Sequence, residues 1–189
     1  MSPKAAQAKR GAAMAELHII PDGAVVVRDG TIAAVGRSAD ILSGLDTTGF
    51  SVIDASGRAV LPGFVDSHTH VVFGGYRADE FSWRLRGDSY MAIMERGGGI
   101  LSTVAATKKA SKEELVRSGL RRLDSLLAFG VTTVEGKSGY GLDRDTEIKQ
   151  LEAMIEIDAA HPVDVVGTFL GAHAVPQAYK GREIGRAHV

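Results

Sequence analysis

Cysteine is absent from this chain of 189 residues. That excludes disulfides, thiolate metal ligands and a thiol nucleophile, and it suits a reducing compartment. An excess of one charge is missing too: 22 Lys and Arg stand against 23 Asp and Glu, a formal net charge of −1. Such a balance gives no reason to expect nucleic acid or an anionic membrane as a partner. No apolar run approaches the length of a membrane span. Met1 to Arg10 carries lysines and alanines without the apolar stretch of a secretory signal. A cytoplasmic protein is the expectation. With 44% hydrophobic and 24% charged residues, what remains is an ordinary globular composition, long enough to bury a core.

Residues 1–15 are Ala/Lys-rich without a β pattern and read as a tail, with Met14 as an alternative start. Ala24–Arg28 and Thr31–Gly36 flank Asp29-Gly30, the favoured two-residue hairpin turn. Residues 51–54 and 59–61 read as further short strands around Ser56-Gly57. Beyond residue 70 the pattern alternates helix and strand. Ser89–Glu95 looks helical. Ser111-Lys112-Glu113-Glu114 is a capping box that opens a leucine-rich helix stopped by Gly130. Val131–Glu135 and Val163–Leu170 read as strands. Asp143 to about Ala160 reads as an amphipathic helix with Ile148, Leu151, Met154 and Ile155 inward. This alternation predicts a parallel sheet of α/β type.

The most informative stretch is Leu61-Pro62-Gly63-Phe64-Val65-Asp66-Ser67-His68-Thr69-His70. An apolar strand read as buried ends in two histidines one residue apart. Alternate residues of a strand share a face, so His68 and His70 are expected to project together, with Asp66 on the same parity. Two convergent imidazoles are half of a typical site for a borderline metal.

This run resembles the signature that follows the first barrel strand of the amidohydrolase superfamily. Four further motifs sharpen the likeness: Val72-Phe73-Gly74-Gly75-Tyr76-Arg77, Gly97–Val104, Glu135-Gly136-Lys137-Ser138-Gly139-Tyr140-Gly141-Leu142, and Thr168–Ala174. They stand in the order seen in the imidazolonepropionase family, and the likeness runs from Val25 to about Lys180. The resemblance implies a (β/α)8 TIM-like barrel, truncated here, preceded by a small β-sandwich portion. Residues 16–60 would be the sandwich portion and 61–182 the first part of the barrel. About three barrel strands can be counted, where a full barrel has eight. Residues 183–189 leave the family pattern and read like translated sequencing-library adapter, so His188 receives no functional weight.

The resemblance also implies a chemistry. The family hydrolyses 4-imidazolone-5-propanoate to N-formimidoyl-L-glutamate in histidine degradation, with one zinc or iron ion activating water. His68 and His70 would be metal ligands, and Arg77, Tyr90, Tyr140 and His173 would bind substrate. Arg77 suits a propionate, because a guanidinium matches a carboxylate in two parallel hydrogen bonds. The other ligands, a histidine and an aspartate, and the catalytic glutamate come from later strands of the family. No position up to residue 189 matches them, so the chain by itself is expected to be inactive, and a barrel opened after about three strands is expected to be poorly soluble or partly unfolded. A homodimer is expected of the full-length form.

Other residues invite blander readings. Lys137 suits an ion pair better than catalysis, Glu135 could face site or helix, and His161 beside Pro162 suits a helix end. Gly97-Gly98-Gly99 lacks a following Gly-Lys-Ser/Thr and so is not a phosphate loop. Two alternative functions stay open: a heterocycle deaminase of the same superfamily, and a non-catalytic homologue acting through protein contacts.

Overall fold

The computed structural model describes residues 9–175 together with Tyr179 and Gly181, so the 183–189 segment lies outside the described residues. The chain divides into two compact units, residues 1–59 and 60–189.

The first unit is built on one antiparallel hairpin, β1 (Gly23–Arg28) and β2 (Thr31–Arg37), followed by the short helix α1 (Ser38–Leu42). Asp29 and Gly30 sit at φ 50° and 71°. Both central residues of this turn type need the left-handed region, and its twist then matches that of the strands. The pairing runs from Gly23↔Arg37 to Arg28↔Thr31, with an irregularity between Val26 and Val27. The strands expected at 51–54 and 59–61 do not form. Val52 and Ile53 are 76% and 87% exposed. Strands need a partner ladder, and none reaches these residues among those described. The intervening turn does form, closed by the Ser56 amide donating to Asp54 Oδ1. Among the described residues the first unit thus holds one two-stranded sheet.

The second unit is α/β. Three parallel strands, β3 (Phe64–Thr69), β4 (Val131–Lys137) and β5 (Asp164–Thr168), lie in the order β3-β4-β5. Helices α2 (Ala78–Leu85), α3 (Tyr90–Glu95), α4 (Ile100–Lys109) and α5 (Lys112–Ala128) separate β3 from β4, and α6 (Arg144–Ala160) separates β4 from β5. Both halves of the capping box of α5 are made: Ser111 Oγ accepts from the Glu114 amide, and Glu114 accepts from the Ser111 amide. Gly130 ends the helix at φ 84° and lets the chain turn directly into β4. Asp143 caps α6 by accepting from the Thr146 amide. Lys149 of α6 donates to the carbonyls of Thr107, Lys108 and Ala110, closing the carboxyl end of α4.

The core lies between α5, α6 and the sheet, around Leu115, Leu123, Val134, Met154, Ile157 and Val163. Gly119 of α5 permits the close approach of α6, since a Cβ there would stand 3.3 Å from Ile157. The inward face of α6 differs from the amphipathic reading. Ile155 is 71% exposed and Ile148 40%, whereas Glu147 and Gln150 are buried with Met154 and Ile157. The two polar residues face inward because the loop leading into α6 supplies amides to Glu147 and the segment after β3 supplies the Val72 carbonyl to Gln150. β3 is also not a buried strand. It is an edge of the sheet, and Phe64 and Val65 are exposed. The described residues hold this three-stranded sheet rather than a closed barrel.

Candidate metal and substrate site

His70, Tyr140 and His173 each follow the carboxyl end of a different strand: β3, β4 and β5. In parallel sheets that end is where loops converge on a site. The three rings converge here. Centroids lie 4.4 Å apart for His70 and Tyr140, 4.9 Å for His70 and His173, and 5.6 Å for Tyr140 and His173. Phe73 joins edge-on, 6.0 Å from Tyr140. Three of the six expected site residues are thus united by the fold.

The state of His70 suits a ligand. Burial holds its imidazole below the ordinary value; His173, Lys137 and His68 push the same way, and a hydrogen bond to the Lys137 backbone opposes them. A neutral imidazole keeps a lone pair for a metal. Its Nδ1 is buried with no hydrogen-bond partner among the described residues. A buried polar atom left in that state calls for an account. His68 is exposed, and its amide donates to Asp66 Oδ1. The register of β3 on β4 shifts between Asp66 and Thr69, so simple alternation does not carry from Asp66 through to His70. Among the described residues no group of three or more His, Asp or Glu is placed to hold a metal. His68 and His70 are at most part of a set.

Arg77 and Tyr90 make their contacts elsewhere. Arg77 precedes α2 and lies 3.9 Å from Glu80 of the same helix. Tyr90 is half-exposed at the start of α3, with the Arg84 guanidinium 5.8 Å from its ring. A groove of about 540 Å³ opens beside His70 toward α5, lined by Tyr76, Arg122, Leu126 and Phe129 among others. None of Arg77, Tyr90, Tyr140 or His173 lines it.

The loop bearing Tyr140 is shaped by a residue that motif reading passed over. Glu147, 3% exposed, accepts from three amides: Gly139 at one oxygen, Gly141 and Leu142 at the other, each at 2.8 Å. Gly139 has φ 112°, and a Cβ there would stand 2.8 Å from the Cβ of His173. Glycine at this point is what lets the Tyr140 and His173 loops touch. Ser138 completes the junction: its amide donates to the Thr168 carbonyl, and its hydroxyl accepts from the Leu170 amide. Lys137 pairs with Glu135, as the bland reading expected, and Thr168 Oγ1 donates to Glu135 Oε1 at 2.9 Å. His161 lies at the end of α6, with Nδ1 accepting from the Val163 amide and Nε2 3.3 Å from Asp124. Glu80 Oε1 accepts from the Gly99 amide and so ties down the triple-glycine turn.

The chain has relatives among known proteins. Residues 51–100, which include both histidines, match the model of the amidohydrolase family. A protein named imidazolonepropionase from Parabacteroides distasonis is 57% identical over 176 residues, covering 93% of this chain and 42% of its own length. Proteins of the same name from Clostridium tetani and Phocaeicola vulgatus are 54% and 56% identical, over 93% and 96% of this chain and 42% and 44% of theirs. The chain therefore spans about two fifths of the length of the curated relatives it matches. Over that span the chain is similar, at 54–57% identity, to proteins named imidazolonepropionase, and residues 51–100 carry the amidohydrolase match.

Proposed function

We propose that this chain carries part of the metal-binding and part of the substrate-binding portion of a hydrolase that opens the ring of 4-imidazolone-5-propanoate to N-formimidoyl-L-glutamate. The observation that carries the reading is His70: an imidazole with a buried Nδ1 that has no partner among the described residues, in ring contact with Tyr140 and His173 at three adjacent strand ends. The parallel order β3-β4-β5 with intervening helices supports 61–182 as the first part of a (β/α)8 barrel. The hairpin supports 16–60 as part of a small β-sandwich.

In this reading His68 and His70 hold one zinc or iron ion. A bound divalent ion supplies hydroxide at neutral pH by lowering the pKa of its water to about 7. Tyr140 offers a phenolic hydroxyl and His173 a ring nitrogen to the polar edge of the imidazolone. Their ring faces also give a flat heterocycle apolar contact. Arg77 takes the propionate carboxylate, and Tyr90 adds a hydroxyl. The family resemblance assigns the remaining ligands and the catalytic glutamate to later strands, so turnover belongs to the whole protein.

The test joins this chain to the remaining part of the Parabacteroides distasonis relative, supplies zinc or iron, and follows loss of imidazolonepropionate. Turnover is expected, and His70→Ala should abolish it. Arg77→Ala should raise KM about 10- to 150-fold, the equivalent of roughly 1.5–3 kcal/mol of charged hydrogen bonds. A fusion that folds but does not turn over, or one indifferent to His70→Ala, refutes the proposal.

A further inference from the structure

The segment Val71–Gly74, directly after His70, has left the β ladder, and Val71 and Val72 are fully inside. Its backbone groups must find partners other than a neighbouring strand. Side chains from three helices supply them. Arg122 of α5 donates through Nη1 to the Val71 carbonyl at 2.9 Å and to the Phe73 carbonyl at 3.1 Å. Gln150 of α6 donates to the Val72 carbonyl between them at 2.8 Å. Thr107 of α4 accepts from the Gly74 amide at 3.0 Å and passes its own proton to the Thr103 carbonyl. Gly74 can have no side chain, because a Cβ would stand 2.6 Å from the Ala106 backbone.

Arg122 does more than bind carbonyls. Its guanidinium lies 3.5 Å from the centre of the Phe73 ring and 5.2 Å from that of Tyr76. Phe73 in turn meets Tyr140. One side chain thus fixes both the backbone leaving His70 and the aromatic wall behind Tyr140. We propose that Arg122 is a positioning residue for the candidate site, holding the loop Val71–Tyr76 so that His70 and Tyr140 stay in ring contact. This rests on the site reading above only where metal is concerned. Burial pushes the Arg122 guanidinium down from its ordinary value, and a hydrogen bond and charge interaction with Tyr76 counter that. An arginine remains charged through such shifts. The cation is therefore permanent, and its grip is not a pH switch. A lysine would keep the charge and a donor but lose the planar fork and the stacking.

The test uses the 189-residue chain as Arg122→Met and Arg122→Lys, with two readouts. The first, free of metal, is the NMR position of the His70 and Tyr140 ring signals, read beside the methyls of Leu123, Val134 and Val163. Arg122→Met should move the ring signals while the methyls hold their places, and Arg122→Lys should move them less. Unmoved ring signals overturn the proposal, and so does a loss of the methyl pattern in step with the rings, which would mark Arg122 as a general packing residue. If Arg122→Met does not fold, Arg122→Lys decides by the same criterion. The second readout is cobalt(II) affinity, expected to fall about tenfold in Arg122→Met, the low end for residues that orient ligands. His70→Ala separates the two ideas. If it leaves cobalt affinity unchanged, the metal assignment fails, and the ring signals alone judge the role of Arg122.

Discussion

The two units of this chain are built from similar local signals with very different results. The first has a well-formed turn and a regular ladder, yet Val26 is its single buried large hydrophobe among the described residues, and Val25, Val27, Ile32 and Val35 remain exposed. The second closes Leu115, Leu123, Val134, Met154, Ile157 and Val163 into one core. Within the first unit the hairpin has only the short helix α1 against it, and a two-stranded sheet with so small a second layer buries little. A sheet with helices docked on it has two layers, and burial supplies most of the favourable free energy of folding. Secondary structure alone is therefore a poor guide to where the stability of this molecule resides.

Substitution in the two units gives the largest contrast. Leu123→Ala should lower the unfolding free energy by about 2–5 kcal/mol, as lost transfer energy plus an unfilled cavity. Val27→Ala, on the hairpin, should cost only about 0.2–1 kcal/mol of cross-strand contact. Urea unfolding followed by far-UV circular dichroism compares them, and losses of equal size would break the contrast.

A smaller effect is expected from Glu147→Gln, which tests whether polar burial in the second unit matters as apolar burial does. Both carboxylate oxygens accept from amides. A carboxamide must turn its NH2 toward at least one of those donors, at a cost of about 1–3 kcal/mol for an unpaired buried group. Hydrogen exchange should quicken at the amides the NH2 faces, either Gly139 or Gly141 with Leu142. Unchanged exchange at all three amides would show that the carboxylate is not their anchor.

The smallest expected effect concerns acid. The Asp143 carboxyl sits below its ordinary value: burial, the largest influence, pushes it up, but the Lys108 ion pair and the Thr146 hydrogen bonds together outweigh it. A depressed carboxylate stabilises the fold above its unfolded pKa, and that contribution disappears as pH falls through the folded pKa. Asp143→Asn should thus be less stable than the parent at neutral pH, with the gap closing as the solution is acidified. In the first unit Asp46 and Asp54 are held down as well, by Thr48 and Ser56, but both are fully exposed and serve only local turns. A gap that widens toward acid would reverse the sign assigned to Asp143.

What could be read from the sequence follows the range of the interactions. The Asp29-Gly30 turn, the Ser111/Glu114 capping box and the strand after Gly130 were legible because their causes lie within four residues. The inward face of α6 was misread because hydropathy ranks Ile148 and Ile155 above Glu147 and Gln150. Periodicity cannot see that those polar groups are claimed by amides and carbonyls elsewhere. His70, Tyr140 and His173 could be nominated from strand ends and family likeness, but their mutual contact needed the fold. Arg122 and Thr107 carried no signal at all, since nothing about a helix arginine or threonine marks it as the partner of a distant loop.

That distance has a consequence in time. The side chains that hold Val71–Gly74 stand 33 to 78 residues further along the chain. A loop that depends on such remote partners cannot take its shape until α4, α5 and α6 have docked, and contacts of long sequence separation are slow to form. During synthesis the histidine pair emerges from the ribosome well before the residues that aim it. His70 therefore spends the early life of the polypeptide without the partners that shape the loop after it.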